Sequence, residues 1–123
     1  MEILIADDSE MIRDSLKKLL ASIKGIDRID EAEDVPHAIE RVRKLHPDML
    51  ILDIKMPGGN GFDVLEAAKK IEDAPLVIML TNFPNEQFKK KSFELGADYF
   101  FDKSTEFSKI LAVCDRASRK LNS

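Results

Sequence analysis

Met49-Leu50-Ile51-Leu52-Asp53-Ile54-Lys55-Met56-Pro57-Gly58-Gly59-Asn60-Gly61 is the stretch that decides the fold. Its four leading apolar residues read as a strand buried on both faces, as in the middle of a parallel sheet covered by helices. The run stops at a carboxylate, Asp53, and residues 56–61 form a turn-rich loop. Phe62, Leu65 and Ala68 then recur at helical spacing, so strand, acidic strand end, loop and helix follow in one unit.

The unit repeats on both sides. Ile3-Leu4-Ile5-Ala6 is a first strand, followed by Asp7-Asp8-Ser9 and a helix with Ile12, Leu16, Leu19, Leu20 and Ile23 on one face, which Gly25 can end. Arg28-Ile29-Asp30-Glu31-Ala32 is more polar and suits a sheet edge, and Pro36 opens a helix with Ile39, Val42 and Leu45 inward. Leu76-Val77-Ile78-Met79-Leu80 is another continuous apolar strand, and a helix near Asn85 to Leu95 ends at Gly96. Tyr99-Phe100-Phe101 is the fifth strand, with Phe100 on one sheet face and its two neighbours on the other. A last helix is expected from about Thr105, with Phe107, Ile110, Leu111, Cys114, Ala117 and Leu121 inward. Five such units predict an α/β fold: a doubly wound, five-stranded parallel sheet in the flavodoxin-like order 2-1-3-4-5 with five helices.

Bulk properties narrow the function. A chain of 123 residues, 44% hydrophobic, is expected to form a single domain over 1–123, with no effector domain visible. With 19 basic and 23 acidic residues the net charge is -4, which argues against direct nucleic-acid binding. No apolar run approaches the ~20 residues of a membrane span, and no leader peptide is seen. One cysteine, Cys114, offers no internal disulfide, so a cytoplasmic location is expected. Cys114 falls on an apolar stripe and reads as packing; Lys89-Lys90-Lys91 reads as a solvated face, and His37 and His46 as incidental.

In open parallel sheets ligands bind beyond the carboxyl ends of the strands, where strand order reverses, here between strands 1 and 3. Those ends carry Asp7-Asp8, Asp53, Thr81 and Lys103. One polar strand end is ordinary, because strands end at solvent; four at equivalent depth ask for a ligand. Three converging carboxylates repel one another unless a cation neutralises them, and oxygen ligands in this number favour Mg²⁺, or Mn²⁺ in its place.

With these residues in place the whole chain resembles the receiver domains of two-component response regulators: Asp7-Asp8, Asp53-Ile54-Lys55-Met56-Pro57, Gly61, Thr81, Gly96-Ala97 and Lys103 match the family pattern. The resemblance implies that Asp53 accepts a phosphoryl group from a phosphohistidine on a sensor histidine kinase or phosphotransfer protein. It implies that Asp8, Asp53 and the main-chain carbonyl of Lys55 hold Mg²⁺, with Asp7 acting through a metal-bound water. Thr81 and Phe100 would be the switch residues, and helix 4, strand 5 and helix 5 the face shown to an unidentified downstream protein. Such a domain is no enzyme in the usual sense, since it catalyses only its own phosphorylation and dephosphorylation.

Several positions depart from the commoner family pattern. Asn82 and Phe83 follow Thr81 where a small residue is usual, Lys55 occupies a variable position, and Ser104 replaces a proline. The family's lysine-proline bond is typically cis, but a non-proline cis bond costs ~2.5–4 kcal/mol. A trans Lys103-Ser104 bond is therefore expected, with Lys103 still directed at Asp53 and Ser104 with Thr105 capping the last helix. Other classes stay open at this point. A Mg²⁺-dependent phosphatase or phosphotransferase could use such an aspartate, but would want a second acid where Lys55 stands. A flavodoxin-like cofactor binder would want a Ser/Thr/Gly-rich loop in place of Asp7-Asp8. A receiver serving as an unphosphorylated interaction module is the third.

Overall fold

The computed structural model describes residues 1–121. Its sheet strands are β1 (Glu2–Ala6), β2 (Arg28–Ala32), β3 (Met49–Leu52), β4 (Leu76–Thr81) and β5 (Tyr99–Asp102). Between and after them lie α1 (Glu10–Leu20), α2 (Val35–Leu45), α3 (Gly61–Lys70), α4 (Glu86–Glu94) and α5 (Lys109–Leu121). The five strands are parallel in the order 2-1-3-4-5, with Ile5 level with Ile51 and Ile51 level with Ile78. This is the doubly wound, flavodoxin-like arrangement expected from the alternation of runs.

Side-chain alternation on the central strands builds two cores. Leu4, Leu50, Leu52, Val77 and Met79 face α2, α3 and α4, while Ile3, Ile5, Met49, Ile51, Ile78 and Leu80 face α1 and α5. Each fully buried aliphatic side chain contributes roughly 1.5–3 kcal/mol. The polar strand β2 is half-buried at the edge, as its composition suggested. Phe100 packs into the first core, and Tyr99 and Phe101 into the second.

Four local expectations are corrected. The last helix starts at Lys109, because Asp102 Oδ1 captures both the Ser104 amide (2.9 Å) and hydroxyl (2.7 Å), so Ser104 closes a turn on β5 instead of capping α5. Leu121, expected inward, is 55% exposed at the end of that helix. Helix α1 stops at Leu20, well before Gly25, with Ala21 at its C-cap. His46, expected to be incidental, is the left-handed C-cap of α2 (φ 46°). The turn-rich loop after β3 also contains a two-stranded ribbon, Lys55–Met56 against Gly59–Asn60.

Candidate functional site

The backbone delivers the site residues to one place by continuing the sheet one residue past each strand. The Asp7 amide donates to the Ala32 carbonyl (3.0 Å), Asp53 to Ala6 (3.0 Å) and Lys103 to Thr81 (2.9 Å). Asp7 and Asp53 are buried while Asp8 is exposed, and each of the three can place a carboxylate oxygen within 4.8 Å of the others. Lys103 bridges two of them, with Nζ 2.6 Å from Asp7 Oδ2 and 3.0 Å from Asp53 Oδ2. The Lys103-Ser104 bond is trans, as expected without proline, and the lysine still reaches its partner.

Electrostatics follow from burial and neighbours. Burial pushes the Asp53 carboxyl above the ordinary carboxylate range and the Asp7 charge adds to this, against the pull of Lys103. Burial also works against the Lys103 ammonium, but the hydrogen bond and charge of Asp7, then those of Asp53, outweigh it and hold its pKa above the usual lysine value. The donor set of three carboxylates, two satisfied by one ammonium and the third facing solvent, fits a hard divalent cation.

The loops around this pocket are built tightly. A Cβ on Gly61 would overlap the Asp53 carbonyl oxygen, so the start of α3 sits against the backbone of the phosphoacceptor candidate. Asn60 caps α3 by accepting from the Phe62 and Asp63 amides, while the Asp63 carboxylate accepts in return from the Asn60 amide. Gly58, at φ 85°, turns the ribbon against Pro36 of α2 in a left-handed conformation. Thr81 is fully buried, and its Oγ1 accepts from the Phe83 amide at 3.0 Å. Since Met79 is level with Leu52, Thr81 stands beside the segment that follows Asp53. The Lys55 ammonium lies over the half-exposed Phe83 ring, its Nζ 3.9 Å from the ring centre.

All the strand-end candidates thus stand at one edge of the sheet, with Phe100 one layer below in the core. Two contacts were not read from the sequence: the Lys55–Phe83 pair and Arg13, whose Nη1 donates to the Asp7 carbonyl oxygen at 2.7 Å. A cation at the end of a helix's first turn, where negative charge is favoured, was the available signal for Arg13. Glu33, Asp34 and His37 form a second acidic and imidazole cluster, but Asp34 caps α2 and binds the His37 ring at 2.7 Å, which accounts for it.

Comparisons with known proteins meet this geometry from outside. Chemotaxis protein CheY of Halobacterium salinarum is 31% identical over 115 residues, covering 93% of this chain and 94% of that protein. Sensory transduction protein LytT of Enterococcus faecalis is 31% identical over 121 residues, 98% of this chain but 49% of that protein, so the chain spans about half the length of this curated relative. Among solved structures, the response regulator domain of Thermotoga maritima CheB superposes with a TM-score of 0.82 at 27% identity, covering 98% of this chain and 94% of that one. The CheX-CheY-BeF3-Mg²⁺ complex of Borrelia burgdorferi gives 0.78 at 27% identity, over 93% and 89% of the respective chains. The family model of the response regulator receiver domain matches residues 3–115, which takes in every site residue described above and all of the sheet but Glu2. With the 2-1-3-4-5 sheet and three aspartates gathered beside a lysine at its carboxyl edge, the chain belongs to the response regulator receiver domain family.

Proposed function

We propose that this receiver is a phosphorylation-switched signalling domain in which Asp53 accepts a phosphoryl group from a phosphohistidine of a sensor histidine kinase or phosphotransfer protein. The observation that carries the reading is the buried Asp53 carboxylate, held 3.0 Å from the Lys103 ammonium with Asp7 and Asp8 beside it. An Asp53 oxygen attacks phosphorus, the P–N bond to the donor histidine opens, and the departing imidazole nitrogen takes up a proton. Asp8, Asp53 and the Lys55 carbonyl would hold Mg²⁺ or Mn²⁺, with Asp7 outside direct contact. When bound, the cation supplies positive charge that offsets repulsion between the carboxylate and an anionic phosphoryl group. Lys103 is already placed to follow the charge from Asp53 onto a phosphoryl oxygen.

The output follows from the same residues. The Thr81 hydroxyl donates to the new phosphoryl oxygen, drawing its loop inward and straining the bond between Thr81 Oγ1 and the Phe83 amide. Phe100 repacks within the core of α2, α3 and α4, and the surface of α4, β5 and α5 changes for a downstream protein. Intact mass after incubation with acetyl phosphate and Mg²⁺ tests the reading. Wild type gains one phosphoryl group of about 80 Da, and Asp53→Ala does not; equal labelling of the variant would refute the assignment, and no labelling of either would favour an unphosphorylated interaction module.

A further inference from the structure

The loop that carries Asp7 and Asp8 is held from below by α1. Arg13, near the start of that helix, has a side chain only 12% exposed and spends both ends of its guanidinium group. Nε donates to Glu31 Oε1 on β2 at 2.9 Å, and Nη1 donates to the Asp7 carbonyl oxygen at 2.7 Å. Lys17 holds the other oxygen of Glu31 at 3.1 Å, so the anchor is itself fixed from two sides.

The Asp7 carbonyl belongs to the planar peptide that joins Asp7 to Asp8. Fixing its oxygen sets the plane of that peptide and the direction in which Asp8 leaves the chain. Asp7 does not need this help: its carboxylate already binds Lys103 and the Ser9 amide. Asp8 does. Among the described residues its exposed carboxylate makes no hydrogen bond or ion pair, so its aim is inherited from its backbone.

We propose that Arg13 is a positioning residue for the cation site, tying the Asp7–Asp8 peptide to β2 so that Asp8 presents its carboxylate toward Asp53. The inference rests on the reading of Asp7, Asp8 and Asp53 as a divalent-cation site. Arg13 acts on that site in two ways of opposite sign. Its charge, behind an acidic pocket, opposes an incoming cation. Its hydrogen bonds aim a ligand, and outer-shell partners of this kind are worth roughly 10–100-fold in metal affinity. The Glu31 carboxylate offsets the guanidinium charge at 2.9 Å, so aiming outweighs repulsion.

The sign of the effect provides the test, read as Mn²⁺ affinity from the free-ion electron paramagnetic resonance signal on the full chain. Arg13→Gln, which removes a positive charge, is expected to bind Mn²⁺ about tenfold more weakly. Arg13→Lys keeps the charge but has no fork to span Glu31 and the Asp7 carbonyl, and is expected to lose a similar factor. In the metal-free proteins the Asp8 amide signal moves in both variants. Affinity equal to or tighter than wild type in Arg13→Gln would overturn the proposal, since only the charge would then matter. If that variant does not fold, Arg13→Lys decides alone, and unchanged affinity overturns it. Asp8→Asn separates the two levels: lost binding there upholds the cation site and leaves the Arg13 variants to decide the positioning role, whereas wild-type binding there removes the site and this inference together.

Discussion

Lys103 satisfies two buried carboxylates at once, so removing it and removing one of its partners should act in opposite directions on stability. Lys103→Ala leaves Asp7 and Asp53 facing each other without a cation, and is expected to cost ~3–5 kcal/mol at neutral pH, with added Mg²⁺ restoring much of the lost thermal midpoint. Asp53→Asn should stabilise. The Asp53 pKa is raised in the folded protein, by burial first and then by Asp7, so between the ordinary 3.8 and the raised value the native state keeps a proton that the unfolded chain releases. Stability therefore falls as pH rises through that window and stays lower above it. Asp53→Asn removes this contribution: it should melt above wild type at neutral pH, and the two should converge in acid, below the ordinary carboxylate range. An Asp53→Asn midpoint below wild type at neutral pH would count against the electrostatic account. The four strand-end residues were readable because a carboxylate or lysine closing a buried apolar run is conspicuous. The contacts of Arg13 with Asp7 and of Lys55 with Phe83 were not, because the partners lie on different segments and no spacing along the chain records a contact across space.

Elements were readable in proportion to their apolar signal. The runs of β1, β3 and β4 are buried along almost their whole length and were placed to within a residue or two. The ribbon at Lys55–Met56 and Gly59–Asn60 has two residues a side, too few for any period to show. The start of α5 was misjudged for a different reason: two hydroxyl residues beside a lysine look like a cap, but the competing acceptor Asp102 sits just behind them on β5. At the junction of β3 and α3 the decisive residue is Gly61, and its role is steric, since its backbone is outside the left-handed region. A methyl group there meets the Asp53 carbonyl oxygen and the Ile54 Cα, both backbone atoms that cannot swing aside. Gly61→Ala is expected to cost roughly 3 kcal/mol or more in urea denaturation and to reduce phosphoryl uptake in the same mass experiment. A stable, fully labelled variant would mean that α3 can slide away from β3.

Across the whole molecule the two cores are separated by a sheet one residue thick, and Cys114 on α5 reports on the second of them. Its sulfur lies 3.2 Å from Met49 Sδ in the interior, and burial pushes the thiol up to about 12 from the ordinary 9.0. Well below the ordinary value the thiol is neutral in both states and contributes nothing to pH dependence. From about 9.0 upward the unfolded chain ionises while the native thiol holds its proton, so stability declines with rising pH until the native group ionises as well. Ellman's reagent at mildly alkaline pH should therefore leave the native protein untouched and titrate one thiol in denaturant; rapid labelling of the native state would show that α5 opens readily. The polarity of β2 at one edge and the continuous apolar strands of the centre made this layered plan evident from residue order alone, because a parallel sheet has few other ways to cover both faces.

The amides of Asp7, Asp53 and Lys103 are each donated to the carbonyl of an adjoining strand. Loops at binding sites usually trade solvent hydrogen freely, yet here the residues nearest the chemistry are stitched into the sheet itself. In deuterium oxide these three amides should be among the last to lose their protium, exchanging only when the entire chain unfolds. That of Asn82, just beyond the end of β4, should exchange orders of magnitude sooner. The molecule would then keep a slow clock at the seat of reaction and a fast one at its rim, and the timing of a signal would be set by the rim.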